Sequence, residues 1–336
     1  MDWSPVICLV MALSNESRLE VNHVTKIFQL RGGVFKKTKE LVAVDDVSFS
    51  MPREPIILTF AGETGSGKTT ISKLILGFSK PTSGEIIYNG KNIWKMSKEE
   101  WMRYRKDVQA VFQDPYAAFN PFYRVDHILK LSIRKFKLVN SKSEVEKIAD
   151  EALDAVGLRS EEIAGKYVHQ LSGGQRQRVM VARAFLLKPK IIVADEPVSM
   201  IDASMRASLL NIILNLKKEF GVSFLYITHD LSTAYSLSDR IAILYRGTIV
   251  EEGHIDAVIE RPAHPYTISL IDSIPTPNPT DRWTQRINIA MDNGGEGDKH
   301  KGCIFYDRCP NALETCLQKR PGMIDIEKDH RVKCFR

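Results

Sequence analysis

The residues best equipped for chemistry begin with a glycine-rich run, Gly62-Glu63-Thr64-Gly65-Ser66-Gly67-Lys68-Thr69, with Thr70 next to it. The run fits G-x-x-x-x-G-K-[S/T], a loop whose glycines let the backbone approach a bulky anion and turn its N–H groups inward as a nest. A helix starting there aims its positive end at the same place. In such a loop Lys68 reaches the β- and γ-phosphates of a polyphosphate, and Thr69 offers its hydroxyl to Mg²⁺. With glycine at about 7% of residues, an accidental match is expected roughly once per hundred chains of this size. A strand before the loop and a helix after it lower that further, so nucleotide binding is the expectation.

A second group ends the apolar run Ile191-Ile192-Val193-Ala194 with Asp195-Glu196. Ligands of open α/β sheets collect at the carboxyl ends of strands. That places Asp195 to hold Mg²⁺, directly or through water, and Glu196 to polarise a water attacking the γ-phosphate. His229 closes another apolar strand, in Tyr226-Ile227-Thr228-His229, on the same side, where it can sense the γ-phosphate or orient water. Leu171-Ser172-Gly173-Gly174-Gln175 precedes a helical run and makes a second anion-binding helix N-terminus. One chain already has its phosphate loop, so a second such site needs an explanation.

Cysteine usage is lopsided. Cys8 stands alone, whereas Cys303, Cys309, Cys316 and Cys334 share the last tenth of the chain. Their spacing, C-x5-C-x6-C-x17-C, matches neither the common zinc pairs nor the usual ferredoxin runs, so spacing alone chooses no metal. Four thiolates suit an iron–sulfur cluster or zinc, and a chain that binds no metal there is equally open at this point. His330, nearby, reads as surface.

The elements that must position these groups follow from hydrophobic patterning. Residues 19–62 read as strands: Val42, Val44, Val47 and Phe49 alternate with interruptions, Pro52 to Pro55 break the pattern, and Ile56 to Phe60 form a buried parallel strand. Ile71, Leu74, Ile75 and Phe78 recur as a helical stripe after the loop. Residues 97–187 look mainly helical. Two further buried strands, at 191–194 and 222–227, flank a helix carrying Leu209, Leu210, Ile213, Leu214 and Leu216. Residues 241–244 and 248–250 flank Arg246-Gly247 as a hairpin. Alternating strands and helices predict an α/β fold with a parallel sheet covered by helices. From about residue 262 the composition changes to prolines, then Gly294-Gly295-Glu296-Gly297, then the cysteines, the mark of a linker and a small appended module with a mobile glycine loop.

The 336 residues suit one large domain and a small one, and 43% hydrophobic with 26% charged residues is an ordinary soluble balance. A net charge of +6 is too mild to indicate a nucleic-acid binder. No segment reaches the roughly 18 apolar residues needed to span a bilayer. The early run Val6 to Leu13 is too short and lacks the basic start of a signal peptide, and Met11 is an alternative first residue. A cytoplasmic chain with reduced thiols is expected.

On these motifs the chain resembles ABC-type ATPases across roughly residues 19–270; residues 171–175 match the family's signature pentapeptide. The resemblance implies a P-loop ABC ATPase domain with a RecA-like core, an antiparallel β subdomain and a helical subdomain at about 114–175. It also implies a composite site, in which each signature caps the γ-phosphate held by its partner's loop. Phe28 resembles the aromatic that stacks on adenine. Gln113 resembles the glutamine that contacts Mg²⁺ and water and relays to the membrane subunits. Asp202 is retained in Ser199-Met200-Ile201-Asp202 where relatives often have S-A-L-D, and Val168 stands where they often have proline. Neither departure touches the chemistry.

Narrower resemblance is carried by Gln113-Asp114-Pro115-Tyr116-Ala117-Ala118-Phe119-Asn120-Pro121, by Arg261-Pro262-Ala263-His264-Pro265-Tyr266-Thr267 and by the cysteine tail. These look like the dipeptide/oligopeptide/nickel branch of importers. The implied organisation is a tail at 1–18, an ATPase domain at 19–270 and a C-terminal extension at 271–336. The implied partners are a second, related ATPase subunit, two transmembrane permease subunits and an extracytoplasmic substrate-binding protein, at the cytoplasmic membrane face. The resemblance also implies a [4Fe–4S] cluster on the four late cysteines, as in some relatives with this tail. A soluble non-transport ABC ATPase is the rival reading. Such proteins usually carry two cassettes or a long coiled coil, and this chain has one phosphate loop and no sustained heptads.

Overall fold

The computed structural model describes residues 17–30, 39–274 and 301–336. Cys8, the run at 6–13, Met11 and the glycine stretch at 294–297 lie outside the described residues.

Two sheets organise the chain. The first is antiparallel, in the order β2-β1-β4-β5, from β1 (Ser17–Leu30), β2 (Lys39–Pro52), β4 (Ser83–Tyr88) and β5 (Lys91–Asn92). Its strands alternate as half-buried strands do: Leu19, Val21, Val44, Val47 and Met51 point inward, and register shifts between β1 and β2 interrupt the period where the sequence pattern stutters.

The second sheet has eight strands, β11-β12-β10-β9-β3-β8-β7-β6. Five of them, β9 (Arg240–Tyr245), β3 (Ile57–Ala61), β8 (Ser223–Thr228), β7 (Ile191–Asp195) and β6 (Val108–Val111), run parallel. Their residues are nearly all apolar because both faces are covered. Ile192, Ala194, Phe224 and Tyr226 face the helices at 125–135, 142–154, 173–185 and 203–220. Their neighbours Ile191, Val193, Leu225 and Ile227 face the helix Lys68–Ile75 and the antiparallel sheet. Each fully buried Ile, Leu or Phe on these faces contributes about 1.5–3 kcal/mol, which fixes the strand ends that carry the chemistry.

The strand at 108–111 departs from the mainly helical reading of 97–187. Val-Gln-Ala-Val is too short to declare a period, and it becomes a strand by adding to the edge next to β7. Phe78 also departs from its reading. The helix ends at Ile75, Gly77 turns the chain at φ +72°, and Phe78 is left exposed against Phe112.

The hairpin is as expected: β10 (Thr248–His254) pairs antiparallel with β9 through Arg246-Gly247, both at positive φ, a two-residue turn suited to strand twist. The last residues do not stand apart from the sheet. β12 (His330–Val332) pairs with β10, and β11 (Ile324–Glu327) pairs with β12. Phe305 wedges among Tyr245, Tyr266 and His264, with ring centroids 5.1, 5.6 and 5.5 Å away. His330, read from sequence as surface, is fully buried. Its Nε2 lies 2.8 Å from Oε1 of the equally buried Glu251 and its Nδ1 3.2 Å from Glu327. Its burial follows from strand pairing across 79 residues, which no local pattern announces.

Candidate functional site

The glycine-rich loop joins the end of β3 to the helix Lys68–Ile75. Gly67 caps that helix at φ +104°, and no side chain bonds the helix's first N–H groups, so its positive end stays open toward the loop. A Cβ at Gly67 would lie 2.4 Å from the Ala43 carbonyl, and one at Gly62 would lie 2.2 Å from the Leu244 carbonyl. Both positions therefore require glycine. The Lys68 ammonium donates to the carbonyls of Gly62 and Glu63, each at 2.8 Å, and to Ser66 Oγ at 3.2 Å. Burial lowers its pKa, against the opposing carboxylates of Glu196, Asp195 and Glu63.

The end of β7 brings the acids to this loop. Thr69 Oγ1 and Ser72 Oγ each donate to Asp195 at 3.4 Å. Burial raises the Asp195 pKa, with Glu196 pushing the same way and the two hydroxyls and Lys68 opposing. A cation between Thr69 and Asp195 would relieve that cost. Ser72 was not anticipated; it sits one turn after the motif.

Glu196 leaves the strand at φ +45°, a conformation that non-glycine residues adopt at a cost. Its N–H is held by the Ile227 carbonyl at 2.9 Å. The turn presents the carboxylate between two partners: Gln113 Nε2 donates to Oε2 at 2.9 Å, and His229 Nδ1 lies 2.9 Å from Oε1. Three residues from the ends of β6, β7 and β8 thus meet at one carboxylate. An ordered carboxylate next to an open phosphate loop can take a proton from a water there.

The signature residues stand on different elements. Ser172 caps the helix Gly173–Phe185 in a reciprocal pair with Gln175: its Oγ accepts from Gln175 N, and Gln175 Oε1 accepts from Ser172 N. Ser172 and Gly173 are exposed, Gly174 packs against Met205, and among the described residues none of them hydrogen-bonds to the loop at 62–69. The helix end therefore faces outward. Asp202 caps the helix Ala203–Phe220, is exposed and makes no side-chain capping bond. Phe28 lies on the outer part of β1, 38% exposed, with Lys26 Nζ 5.1 Å from its ring. An aromatic left outside the core is available for stacking.

Cys303, Cys309, Cys316 and Cys334 line one small pocket, and all are free thiols. Burial pushes the Cys303 and Cys309 thiols up. Among the described residues no three His, Cys, Asp or Glu side chains converge as a single bound ion requires. Two contacts to the phosphate loop escaped sequence reasoning: Tyr266 Oη accepts from Glu63 N at 2.9 Å, and Arg308 pairs with the Glu63 carboxylate.

A family model described as ABC transporter matches residues 44–199, and one described as oligopeptide/dipeptide transporter, C-terminal region, matches residues 250–316. The chain is 37% identical over 326 residues to the oligopeptide transport ATP-binding protein AppF of Bacillus subtilis, covering 96% of this chain and 98% of that one. It is 35% identical over 321 residues to the dipeptide transport ATP-binding protein DppF of Haemophilus influenzae, covering 96% and 97%. Among solved structures it resembles the dimeric post-hydrolysis state of the ATP-binding cassette MJ0796 bound to ADP and Pi, with TM-score 0.62 and 28% identity over 70% of this chain and 98% of that one. It shares its fold with cbiO1 of Clostridium perfringens, with TM-score 0.61 and 24% identity over 73% and 92%.

Proposed function

The chain belongs to the oligopeptide/dipeptide-type family of ABC transporter ATP-binding proteins, and from that premise we propose that it hydrolyses ATP to energise uptake of peptides or a related solute through membrane partners. The observation that carries this reading is the meeting of Gln113, Glu196 and His229 beside Lys68, Thr69 and Asp195.

ATP lies with its phosphates in the nest of residues 62–67, against the open helix end, and Lys68 swings from the loop carbonyls to the β- and γ-phosphates. Thr69, Asp195 and Gln113 would hold Mg²⁺, which supplies charge neutralisation on the transferred phosphoryl group. Glu196 accepts the proton of the attacking water. Gln113 and His229 fix the carboxylate from either side, so little reorganisation is needed at the moment of attack. Phe28 stacks on the adenine.

Ser172 and Gly173, beside Gly174 and Gln175, are exposed and make no hydrogen bond to the loop at 62–69 among the described residues. They serve the γ-phosphate of a second ATPase subunit and receive the same service in return, with Asp202 at that interface. The dimeric ADP-bound cassette among the similar structures supports this arrangement. In this branch the partner is often a related but different chain. No helix among the described residues is long and apolar enough to cross a membrane. Likeness to peptide-transport ATP-binding proteins supports transport through two permease subunits and an extracytoplasmic binding protein, with this chain at the cytoplasmic face.

The resemblance favours a [4Fe–4S] cluster on the four cysteines that line this pocket, although four thiolates suit zinc as well. Its role would be that of a structural staple or a regulatory element. An anaerobic preparation should contain about four irons and equivalent sulfide per chain; zinc alone, or neither metal, rejects the cluster.

The central test is Glu196→Gln. It keeps the shape and removes the base, so turnover should fall about 10²–10⁴-fold. With Mg·ATP and its partner ATPase subunit present, the variant should elute as a dimer in size-exclusion chromatography. Hydrolysis at the wild-type rate would reject Glu196 as the base, and full activity of a strict monomer would reject the composite site.

A further inference from the structure

Glu63 is the one acidic residue within the glycine-rich loop. A carboxylate there is costly, because it repels the polyphosphate that the loop is built to hold. The fold answers with residues far along the chain. Arg308 Nη1 and Nη2 donate to Glu63 Oε2 and Oε1 at 3.0 and 2.9 Å, a two-pronged pair spanning 245 residues. The Arg308 side chain is only 13% exposed, against 47% for Glu63. Its guanidinium lies 5.6 Å from the Tyr245 ring and 5.7 Å from the Phe305 ring. Its charge is held more firmly than usual, first by the hydrogen bonds to Glu63.

The Glu63 main chain is pinned as well, by its N–H donating to the buried Tyr266 hydroxyl at 2.9 Å. Both contacts come from residues with no part in the phosphate-loop motif. Tyr266 follows His264-Pro265, and Arg308 closes a short turn, Tyr306–Arg308, between Cys303 and Cys309. Phe305, in the same turn, is 2% exposed against Tyr245 and Tyr266, so the turn cannot shift without unpacking.

We propose that Arg308, in the C-terminal extension, and Tyr266, at the end of the ATPase domain, are positioning residues of the nucleotide site, the first setting the charge and the second the shape of the phosphate loop at Glu63. The inference rests on the reading of residues 62–69 as the ATP loop. Its consequence is that ATP affinity, more than the chemical step, depends on the extension. Arg308 neutralises a carboxylate that otherwise faces the nucleotide, and it touches none of Gln113, Glu196 or His229.

The test is a double-substitution cycle in the full chain, with Mg·ATP affinity measured by calorimetry and kcat and KM measured in parallel. Arg308→Ala should weaken ATP binding about tenfold at low salt, a value moderated by the exposure of Glu63. The kcat at saturating ATP should move less than about threefold. The binding defect should shrink toward about threefold at 0.5 M salt, because it is electrostatic. In a Glu63→Gln background, the same Arg308→Ala change should cost less than about twofold, because no carboxylate is left to neutralise. Arg308→Lys should recover part of the affinity, and Tyr266→Phe should raise KM about threefold by freeing the Glu63 amide. Equal losses in both backgrounds, or a defect insensitive to salt, would overturn the inference by making Arg308 a packing residue. Failure of the unsubstituted chain to bind Mg·ATP would instead sink the reading of the loop itself.

Discussion

Replacing Glu251 by glutamine puts a number on how the last residues are fastened to the sheet. Glu251 is fully buried on β10, and its two oxygens serve three partners: Ala263 N–H at 2.8 Å, His264 N–H at 2.9 Å and His330 Nε2 at 2.8 Å. A carboxylate accepts from all of them. A glutamine amide has one accepting oxygen, so in either flip its NH₂ faces at least one backbone N–H. One hydrogen bond is lost and a buried donor is left unpaired, at about 2–3 kcal/mol. Glu251→Ala strips all three partners and should cost about 3–5 kcal/mol, the usual scale for breaking a buried pair. For a chain of this length each kcal/mol lowers Tm by roughly 2 °C, so the glutamine variant should melt about 4–6 °C below the parent. Equilibrium urea unfolding, followed by the fluorescence of Trp94 and Trp101, should give the matching free energy. A variant within 1 °C of the parent would refute the claim that this carboxylate holds the extension in place.

His264 predicts an acid weakness. Burial lowers its pKa from 6.5 to about 4, and its Nδ1 accepts from Tyr266 N at 3.0 Å. The unfolded chain binds the proton more readily between those values, so this contribution is complete above pH 6.5 and is lost as pH falls toward 4. The loss is about 2 kcal/mol at pH 5 and about 3 kcal/mol at pH 4. His264→Asn keeps a helix-capping acceptor and should remove this slope from the urea stability measured across that range; an unchanged slope assigns it elsewhere. Gly77→Ala should destabilise by about 2–4 kcal/mol, because Gly77 sits at φ +72° and a Cβ would lie 2.2 Å from the Trp101 ring. Measured against Trp101→Leu alone, Gly77→Ala should cost only the backbone part, about 1 kcal/mol, and a loss that stays undiminished would implicate something other than this contact.

What the sequence disclosed follows a physical line. The positions of Asp195, Glu196 and His229 are readable because each sits where an apolar strand stops, a short run bounded by turn residues, and that of Lys68 because it follows a glycine-rich run and opens a helix. The helix after the loop was readable from Ile71, Leu74 and Ile75, although Phe78 lay past its end. Val108 to Val111 were hidden because four residues hold too little period to compete with the charged helical stretch around them. His330 and Arg308 were hidden for a different reason. A lone polar residue in a loop-rich tail carries no local sign of burial, and their partners Glu251 and Glu63 lie 79 and 245 residues away. The outward-facing signature was legible only by resemblance, since helix-capping geometry alone says that an anion is welcome and not whose anion it is.

The way the sheet is closed off has a practical consequence. β10 would be an edge strand but for β12, which covers its backbone at Glu251, Glu252 and Gly253. The new outermost strand, β11, is four residues long and alternates its exposed isoleucines with Asp325 and Glu327, a short, charged border that discourages stacking of one molecule on another. A polypeptide cut ahead of residue 324 would keep every group proposed to touch ATP, yet it would bare a row of unsatisfied amides and carbonyls beside a stranded acid. Such a fragment should self-associate, so the motor cannot be trimmed to its nucleotide-binding cassette and remain a well-behaved particle.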